Sequence, residues 1–172
     1  MILNALDIET EATDPSMKQY AALQPWRLRQ GKARITSIAV ARENGSVDQI
    51  VNEGSNWVGQ VHDLLHSLDG QAVYAHNALF DVAWQIAQLQ PDRMGDVPEV
   101  IKRIKWRDTS LLCKWLINGQ RPETIRFSYS LMNLVATFLP NHPMTPFFIK
   151  MKTEGVAPGD NPEYWQKRGE MD

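Results

Sequence analysis

Two acidic residues, Asp7 and Glu9, lie on alternate positions directly after the apolar segment 2–6. Side chains alternate between the two faces of a β-strand, so a strand that ends here directs both carboxylates to the same side. Two carboxylates that share one face beside a core repel each other and lose hydration unless a cation neutralises them. The pattern therefore predicts a short buried strand over 2–8 that ends in a divalent-metal site.

A third acidic residue, Asp81, follows a second short strand predicted over 72–75. Apolar spacing predicts a helix over 79–89, and Asp81 lies on its first turn. Because the helix dipole favours an acid at this position, Asp81 is open to two interpretations. It either contributes a further carboxylate to the metal site or is an ordinary acid at a helix N-terminus.

Apolar periodicity divides most of the remaining chain into strands and helices. Strands are predicted over 34–41, 47–51 and 106–109, and helices over 57–68, 110–117 and 129–139. Strands first, and then strands alternating with helices, are typical of an α/β fold with a small mixed sheet flanked by helices. The length of 172 residues suits a single domain spanning 1–172.

Composition narrows the class of protein. Basic and acidic side chains number 18 and 20, for a formal charge of −2, which argues against a sequence-independent binder of duplex DNA. The single cysteine, Cys113, excludes an internal disulfide and fits a reducing compartment. No apolar segment approaches the roughly 20 residues of a membrane span, and the first residues lack the pattern of a signal peptide. We therefore expect a cytoplasmic protein that does not contact a membrane.

Two motifs carry a resemblance to a known family, and they are Asp7-x-Glu9-Thr10 and Asn77-x-x-Phe80-Asp81. In this order and spacing they resemble the first two motifs of the DnaQ-like 3′–5′ exonucleases, the DEDD superfamily. The resemblance implies a ribonuclease-H-like fold, in which a mixed sheet is flanked by helices. It also implies removal of nucleoside monophosphates from single-stranded or frayed DNA 3′ ends, as in proofreading.

The same resemblance implies a set of metal ligands. Members of the family hold two Mg²⁺ or Mn²⁺ ions, one that activates a water and one that stabilises the leaving 3′ oxygen. By this resemblance Asp7 contacts both ions, Glu9 contacts one, and Asp81 contacts the other. Hard oxygen ligands of this kind suit magnesium or manganese better than zinc.

Three residues of the two motifs have supporting roles by the resemblance. Thr10 would contact the terminal nucleotide. Asn77 either caps the helix at 79–89 or holds the neighbouring strand, and capping is the favoured interpretation. Phe80 either packs under the site or stacks on a base, and packing is favoured.

In the family, a third motif on a helix near the C-terminus supplies a fourth carboxylate. Asp172 is the acidic residue of this sequence at the corresponding position. Asn161 and Pro162 predict the start of this helix. The chain departs from the family pattern because Lys167 and Arg168 occupy the histidine and tyrosine positions. Two explanations stay open: the chain is a fragment cut within this helix, or the site orders its water with metal ions alone. Arg168 is either a phosphate contact or a solvated residue.

A basic segment at 21–34 contains Trp26, Arg27, Arg29 and Lys32. Cations around an aromatic side chain suit contact with phosphates and stacking on bases. The segment resembles the corresponding part of exonuclease domains in bacteriophage family A DNA polymerases, including separately encoded ones. That likeness implies a polymerase partner and, for a phage protein, the host cytoplasm. The alternative is a solvated loop with Trp26 pinned to the core.

The sequence thus favours a proofreading exonuclease and leaves two rivals. One rival is a ribonuclease or oligoribonuclease of the same superfamily, because no residue pattern identifies a sensor for the 2′-hydroxyl. The other is a non-catalytic module that binds DNA or a polymerase. Retention of Asp7, Glu9 and Asp81 together argues against the module, because a protein without metal has no use for three converging acids.

Overall fold

The computed structural model describes residues 3–16, 23–89, 97–118, 130–143, 145, 146, 149 and 153. The chain forms two compact units, Met1–Thr109 and Ser110–Asp172. The first unit contains the sheet and the first two sequence motifs. The expectation of a single domain over 1–172 stays a prediction.

In the described part of the first unit, five strands form one sheet. They are β1 (Leu3–Ala12), β2 (Ala33–Arg42), β3 (Val47–Val51), β4 (Ala72–Ala75) and β5 (Lys105–Asp108). The spatial order is β3-β2-β1-β4-β5. Neighbours are antiparallel from β1 to β3, whereas β4 is parallel to β1 and β5 is parallel to β4. The mixed sheet predicted from the sequence is confirmed.

The described residues of the same unit form three helices. They are α1 (Trp57–Ser67), α2 (Ala78–Leu89) and α3 (Glu99–Arg103). A short 3-10 turn, Pro25–Arg27, precedes β2. The sequence predicted α1 and α2 closely but not α3, whose five residues are too few to show a helical period. With these helices beside the sheet, the α/β class is confirmed.

The core of the first unit follows from alternation along the strands. Leu6 and Ile8 of β1 are buried, while Ala5 and Asp7, which alternate with them, are exposed. The buried apolar side chains of the strands form one cluster with those of the helices, including Ile38, Val40, Val61, Leu65, Val73, Trp84 and Ile101. One face of β1 therefore belongs to the core, and the other is left for polar side chains.

Strand β1 is longer than the sequence predicts, because it continues to Ala12 instead of ending near residue 8. Pairing with β2 extends it as far as the Ala12–Ala33 pair, with a shift in register between Glu9 and Thr10. On its other side β1 pairs with β4 only as far as the Ala5–Tyr74 pair. Beyond residue 5, the edge of β1 toward β4 is thus open to other partners.

The second unit contains helices α4 (Thr109–Asn118), which starts on the last residue of the first unit, and α5 (Leu131–Phe138). The hydroxyl of Ser130 caps α5 by accepting a hydrogen bond from the Asn133 N–H at 3.4 Å. Both helices lie where the sequence predicts them. The helix predicted from Asn161 to Asp172 lies outside the described residues. No helix in the described part of the chain is long and apolar enough to cross a membrane.

Candidate metal centre

Asp81 lies on the first turn of α2 with only 3% of the residue exposed. Its carboxylate accepts a hydrogen bond from the backbone N–H of Ile8, on the part of β1 that extends past β4. Burial, the negative charge of Asp7 and, to a smaller extent, that of Asp108 together raise the pKa of Asp81 to about 8, although hydrogen bonds from the backbone N–H groups of Asp81 and Ile8 oppose the shift. Without a nearby cation, this carboxyl group therefore holds its proton at neutral pH.

Asp7 and Glu9 lie on the face of β1 opposite Leu6 and Ile8. Asp7 is exposed and Glu9 is half-buried. Asp7 is close enough to Asp81 for its charge to act on that carboxyl group. The structure thus brings Asp7 of the first motif close to Asp81 of the second, although the two residues are 74 positions apart in the sequence.

The donor set fits a hard divalent cation. Two carboxyl groups next to each other, one of them buried, are costly to ionise together, and a bound cation removes that cost. Carboxylate oxygens are the ligands that Mg²⁺ and Mn²⁺ prefer. In the described ranges, no group of three His, Cys, Asp or Glu side chains has the spacing of a metal site. The assignment of Asp7, Glu9 and Asp81 as ligands therefore stays a proposal.

Asp108 is a residue of this region that the sequence analysis did not identify as functional. It ends β5, paired in register with Ala75 of β4. Its carboxylate accepts hydrogen bonds from the N–H groups of Asn77, at 3.3 Å, and Ala78, at 3.1 Å. An acid at this point stabilises the unpaired N–H groups and the positive end of the α2 dipole. The available signal was an acid at the carboxyl end of a predicted strand.

The turn between β4 and α2 depends on Asn77. Its φ of 67° is in the left-handed region, which asparagine tolerates better than most residues. Its carbonyl accepts a hydrogen bond from the Phe80 N–H at 2.8 Å, and its side chain is exposed. Thr109 supports the same turn by donating to the Ala75 carbonyl at 3.3 Å and by bonding His76 Nδ1 at 3.1 Å. Asn77 thus shapes the entry into α2 through its backbone.

Phe80 and Thr10 are the residues next to the acids Asp81 and Glu9 in the two motifs. Phe80 is half-buried and packs against the core. Its ring meets that of Trp84 edge to face, with the centroids 6.2 Å apart. Thr10 is half-buried and directly follows the shift in register of β1.

The basic segment forms an ordered turn before β2. Arg27 donates from Nε to Gln24 Oε1 at 3.0 Å and from Nη1 to Gln30 Oε1 at 2.7 Å. Leu28 packs against the core, whereas Trp26 is 48% exposed. Leu28 and not Trp26 therefore anchors the turn.

The cations of this segment differ in exposure. Arg29 is exposed, whereas Arg27 and Lys32 are half-buried. The backbone carbonyl of Lys32 accepts a hydrogen bond from the Thr13 N–H at 3.0 Å, which ties the end of the segment to the chain leaving β1. The remaining predicted site residues, Arg168 and Asp172, lie outside the described residues.

No protein-family model matches this chain, and no curated protein matches it in sequence. The fold is similar to that of several solved structures. The RNase domain of the yeast Pop2 protein has a TM-score of 0.56 at 13% identity, over 85% of this chain and 70% of that chain. A chain in the structure of the yeast NOT1 MIF4G domain co-crystallised with CAF1 has a TM-score of 0.52 at 14% identity, over 92% of this chain and 82% of that chain.

A family B DNA polymerase from the hyperthermophilic archaeon Pyrobaculum calidifontis has a TM-score of 0.51 at 16% identity. The likeness covers 96% of this chain but only 22% of the polymerase chain. At such identities the likeness concerns the fold. The five-stranded sheet with its helices is the ribonuclease-H-like fold that the two motifs imply.

Proposed function

We propose that this protein is a metal-dependent 3′–5′ exonuclease that removes nucleoside monophosphates from DNA 3′ ends, in the manner of a proofreading nuclease. The observation that carries the proposal is the buried carboxyl group of Asp81 beside Asp7. Two acids are costly in this position unless a cation is part of the working site. That the acids occur in a ribonuclease-H-like fold supports the same conclusion.

The proposed ligands of two Mg²⁺ or Mn²⁺ ions are Asp7, Glu9, Asp81 and Asp172. When bound, such ions supply an activated water and stabilise the charge on the leaving oxygen. Two contacts restrict the position of Asp81 within this proposed site. The Ile8 N–H orients Asp81, and Asp108 fixes the start of α2, so the buried acid has little freedom to turn away.

The proposed substrate is single-stranded or frayed DNA. Trp26 and Arg29 are exposed on an ordered turn, which suits stacking on a base and contact with a phosphate. Arg27 and Lys32 would add charge to the same surface. We include Thr10, Asn77 and Arg168 as contacts to the terminal nucleotide or its phosphate, and Phe80 as the side chain that packs beneath them.

A second candidate is a ribonuclease of the same superfamily. It is favoured by the likeness to an RNase domain, that of yeast Pop2. The likeness to a family B DNA polymerase supports DNA as substrate and a polymerase as partner. A closer relation to exonuclease domains of phage family A polymerases rests on the basic segment. A non-catalytic module that binds no metal is less favoured, because nothing in it would offset the cost of placing acids at 7, 9 and 81 close together.

The decisive experiment compares DNA and RNA of one sequence. Short single strands labelled at the 5′ end are incubated with the protein in Mg²⁺, in Mn²⁺ or in EDTA. We expect stepwise shortening of the DNA from its 3′ end, with release of nucleoside monophosphates and no reaction in EDTA. Preferential cutting of RNA would establish the ribonuclease, and binding without cutting would establish the module.

Variants assign the ligands in the same assay. Asp7→Ala and Asp81→Asn should abolish shortening, and Asp172→Asn should slow it by at least about tenfold, which is about 1.4 kcal/mol of barrier. The matched control is Glu53→Ala, which removes an exposed acid from the turn after β3. An Asp172→Asn rate equal to that of the parent would mean that Asp172 is not an essential ligand.

A further inference from the structure

A second feature of the first unit is a cleft formed by α1, the end of α2 and α3. Its volume is about 520 Å³. The residues that line it are Val58, Gly59, His62, Asp63, His66, Leu89, Pro98, Glu99, Val100 and Arg103. None of these is a residue of the candidate metal centre.

Two histidines of α1 contribute imidazole nitrogen atoms to this cleft. His62 and His66 are four residues apart, so they lie on the same side of the helix one turn apart. Both are exposed. Their Nε2 atoms are 3.2 Å apart, and the ring centroids are 4.3 Å apart with an interplanar angle of 63°. The two nitrogens are therefore within hydrogen-bonding distance of each other beside the helix.

This separation has a specific chemical meaning. Zinc binds imidazole nitrogen at 2.0–2.1 Å with tetrahedral angles, which puts two nitrogens on one ion about 3.3 Å apart. The 3.2 Å between the Nε2 atoms is close to that value. In neutral imidazole one ring nitrogen keeps the proton and the other has a lone pair, so both residues can offer Nε2 when Nδ1 is protonated. No change of backbone is needed to bring the two ligands together.

Two charged residues that line the cleft form ion pairs with side chains nearby. Glu99 binds Lys102 at 2.6 Å, and Arg103 binds Asp69 at 3.0 Å. Asp63 lies next to His62 and also lines the cleft, where its negative charge favours a cation. In the described part of the chain no third ligand joins the two imidazoles at metal-site spacing. An ion held here would keep open positions for water.

We propose that His62 and His66 form a two-imidazole site for a divalent transition-metal ion of the zinc class, open toward the cleft. Imidazole favours zinc, nickel and copper, whereas carboxylates favour magnesium and manganese. The site thus differs from the candidate metal centre in ligand type and in the ions that it selects. It does not depend on the proposed nuclease function, because none of its residues belongs to the acidic motifs.

The test is calorimetric titration of the full chain, stripped of metal with a chelator, with zinc chloride. We expect one Zn²⁺ per chain at this site and a rise in the melting temperature in saturating zinc. His66→Gln should weaken zinc binding at least tenfold, and His62→Gln should do the same. His142→Gln is the matched control, because it removes another exposed histidine, outside α1. Asp7→Ala should also leave zinc affinity unchanged.

Each contrary outcome identifies a different error. Parent-like zinc affinity in both His62→Gln and His66→Gln would overturn the proposal. Loss of binding in Asp7→Ala alone would place the zinc at the acidic motifs and would equally overturn it. A Co²⁺ absorption spectrum that is lost in both histidine variants and kept in Asp7→Ala would support the site. Since both histidines are exposed, the variants should melt like the parent without metal, and that measurement confirms that they fold.

Discussion

The carboxylate of Asp81 accepts a hydrogen bond from the backbone N–H of Ile8, and so joins the first turn of α2 to β1. This contact is possible because β1 continues past the last residue that it pairs with β4. A strand N–H without a strand partner must find another acceptor when it is buried. The acid of the second motif fills that need and is at the same time placed beside Asp7. One hydrogen bond therefore contributes both to the fold and to the site.

The first prediction concerns pH and the metal-free protein. The pKa of Asp81 is raised to about 8 in the folded protein, against 3.8 for an ordinary aspartate. Between these two values the folded protein keeps a proton that the unfolded chain has lost, so raising the pH favours unfolding. The free energy of unfolding should fall by up to about 1.4 kcal/mol per pH unit across this window. Urea denaturation in EDTA at pH 5, 6 and 7 measures it.

Asp81→Asn is the variant that tests this cause. Asparagine is as neutral as the protonated acid and keeps an oxygen that can accept from Ile8. The slope of stability with pH should therefore flatten, and the variant should be more stable than the parent at pH 7. Glu53→Ala, at an exposed acid, should keep the parent's slope. A slope that persists in Asp81→Asn would mean that another group is responsible.

The second prediction concerns Asp7. Its replacement by alanine removes a proposed ligand and also the negative charge that opposes ionisation of Asp81. Titration with Mn²⁺ should show binding to the parent and none to Asp7→Ala. Without metal, the variant should be as stable as the parent or slightly more so, because a repulsion has been removed. Manganese binding that survives unchanged in Asp7→Ala would refute the ligand assignment.

Local patterns predicted much of the fold and the acids of the site. Alternation along β1 and the helical spacing after Asn77 are properties of short segments, and they placed Asp7 and Asp81 correctly on a strand and on a first turn. The predicted end of β1, near residue 8, was wrong. Residues 9–12 have no apolar alternation and are held in the strand by pairing with β2. The contact of Asp108 with α2 was missed for a similar reason. It depends on the register of β5 against β4, which no local pattern encodes.

The third prediction concerns the basic turn. If Arg29 contacts a phosphate, Arg29→Gln should weaken binding of single-stranded DNA and reduce the slope of log affinity against log salt by about 0.7. Lys32→Gln should have a similar effect. Arg27→Gln should also destabilise the turn, because the Arg27 side chain donates hydrogen bonds to those of Gln24 and Gln30. Lys102→Gln, on α3, is the control for removal of one positive charge. Unchanged salt slopes in Arg29→Gln and Lys32→Gln would mean that these cations are solvated and do not contact phosphates.

The last prediction concerns Asp108, which acts on α2 in two separable ways. Its carboxylate binds the N–H groups of Asn77 and Ala78, and its charge raises the pKa of Asp81. Asp108→Ala removes both effects and should cost about 1 kcal/mol of stability, as loss of a helix cap does. Asp108→Asn keeps an acceptor oxygen but removes the charge, so it should lose less stability.

Both Asp108 variants should lower the pKa of Asp81, so the pH window in which stability falls should end at a lower pH than in the parent. If Asp108 positions Asp81 for catalysis, the exonuclease rate should decrease when the hydrogen bonds of Asp108 to α2 are lost. The rate should therefore be lower in Asp108→Ala than in Asp108→Asn. Denaturation in EDTA at several pH values, together with single-turnover cleavage of a labelled strand, separates these effects. Equal stability and equal rates in the parent and Asp108→Ala would show that the two hydrogen bonds do not hold α2 in place.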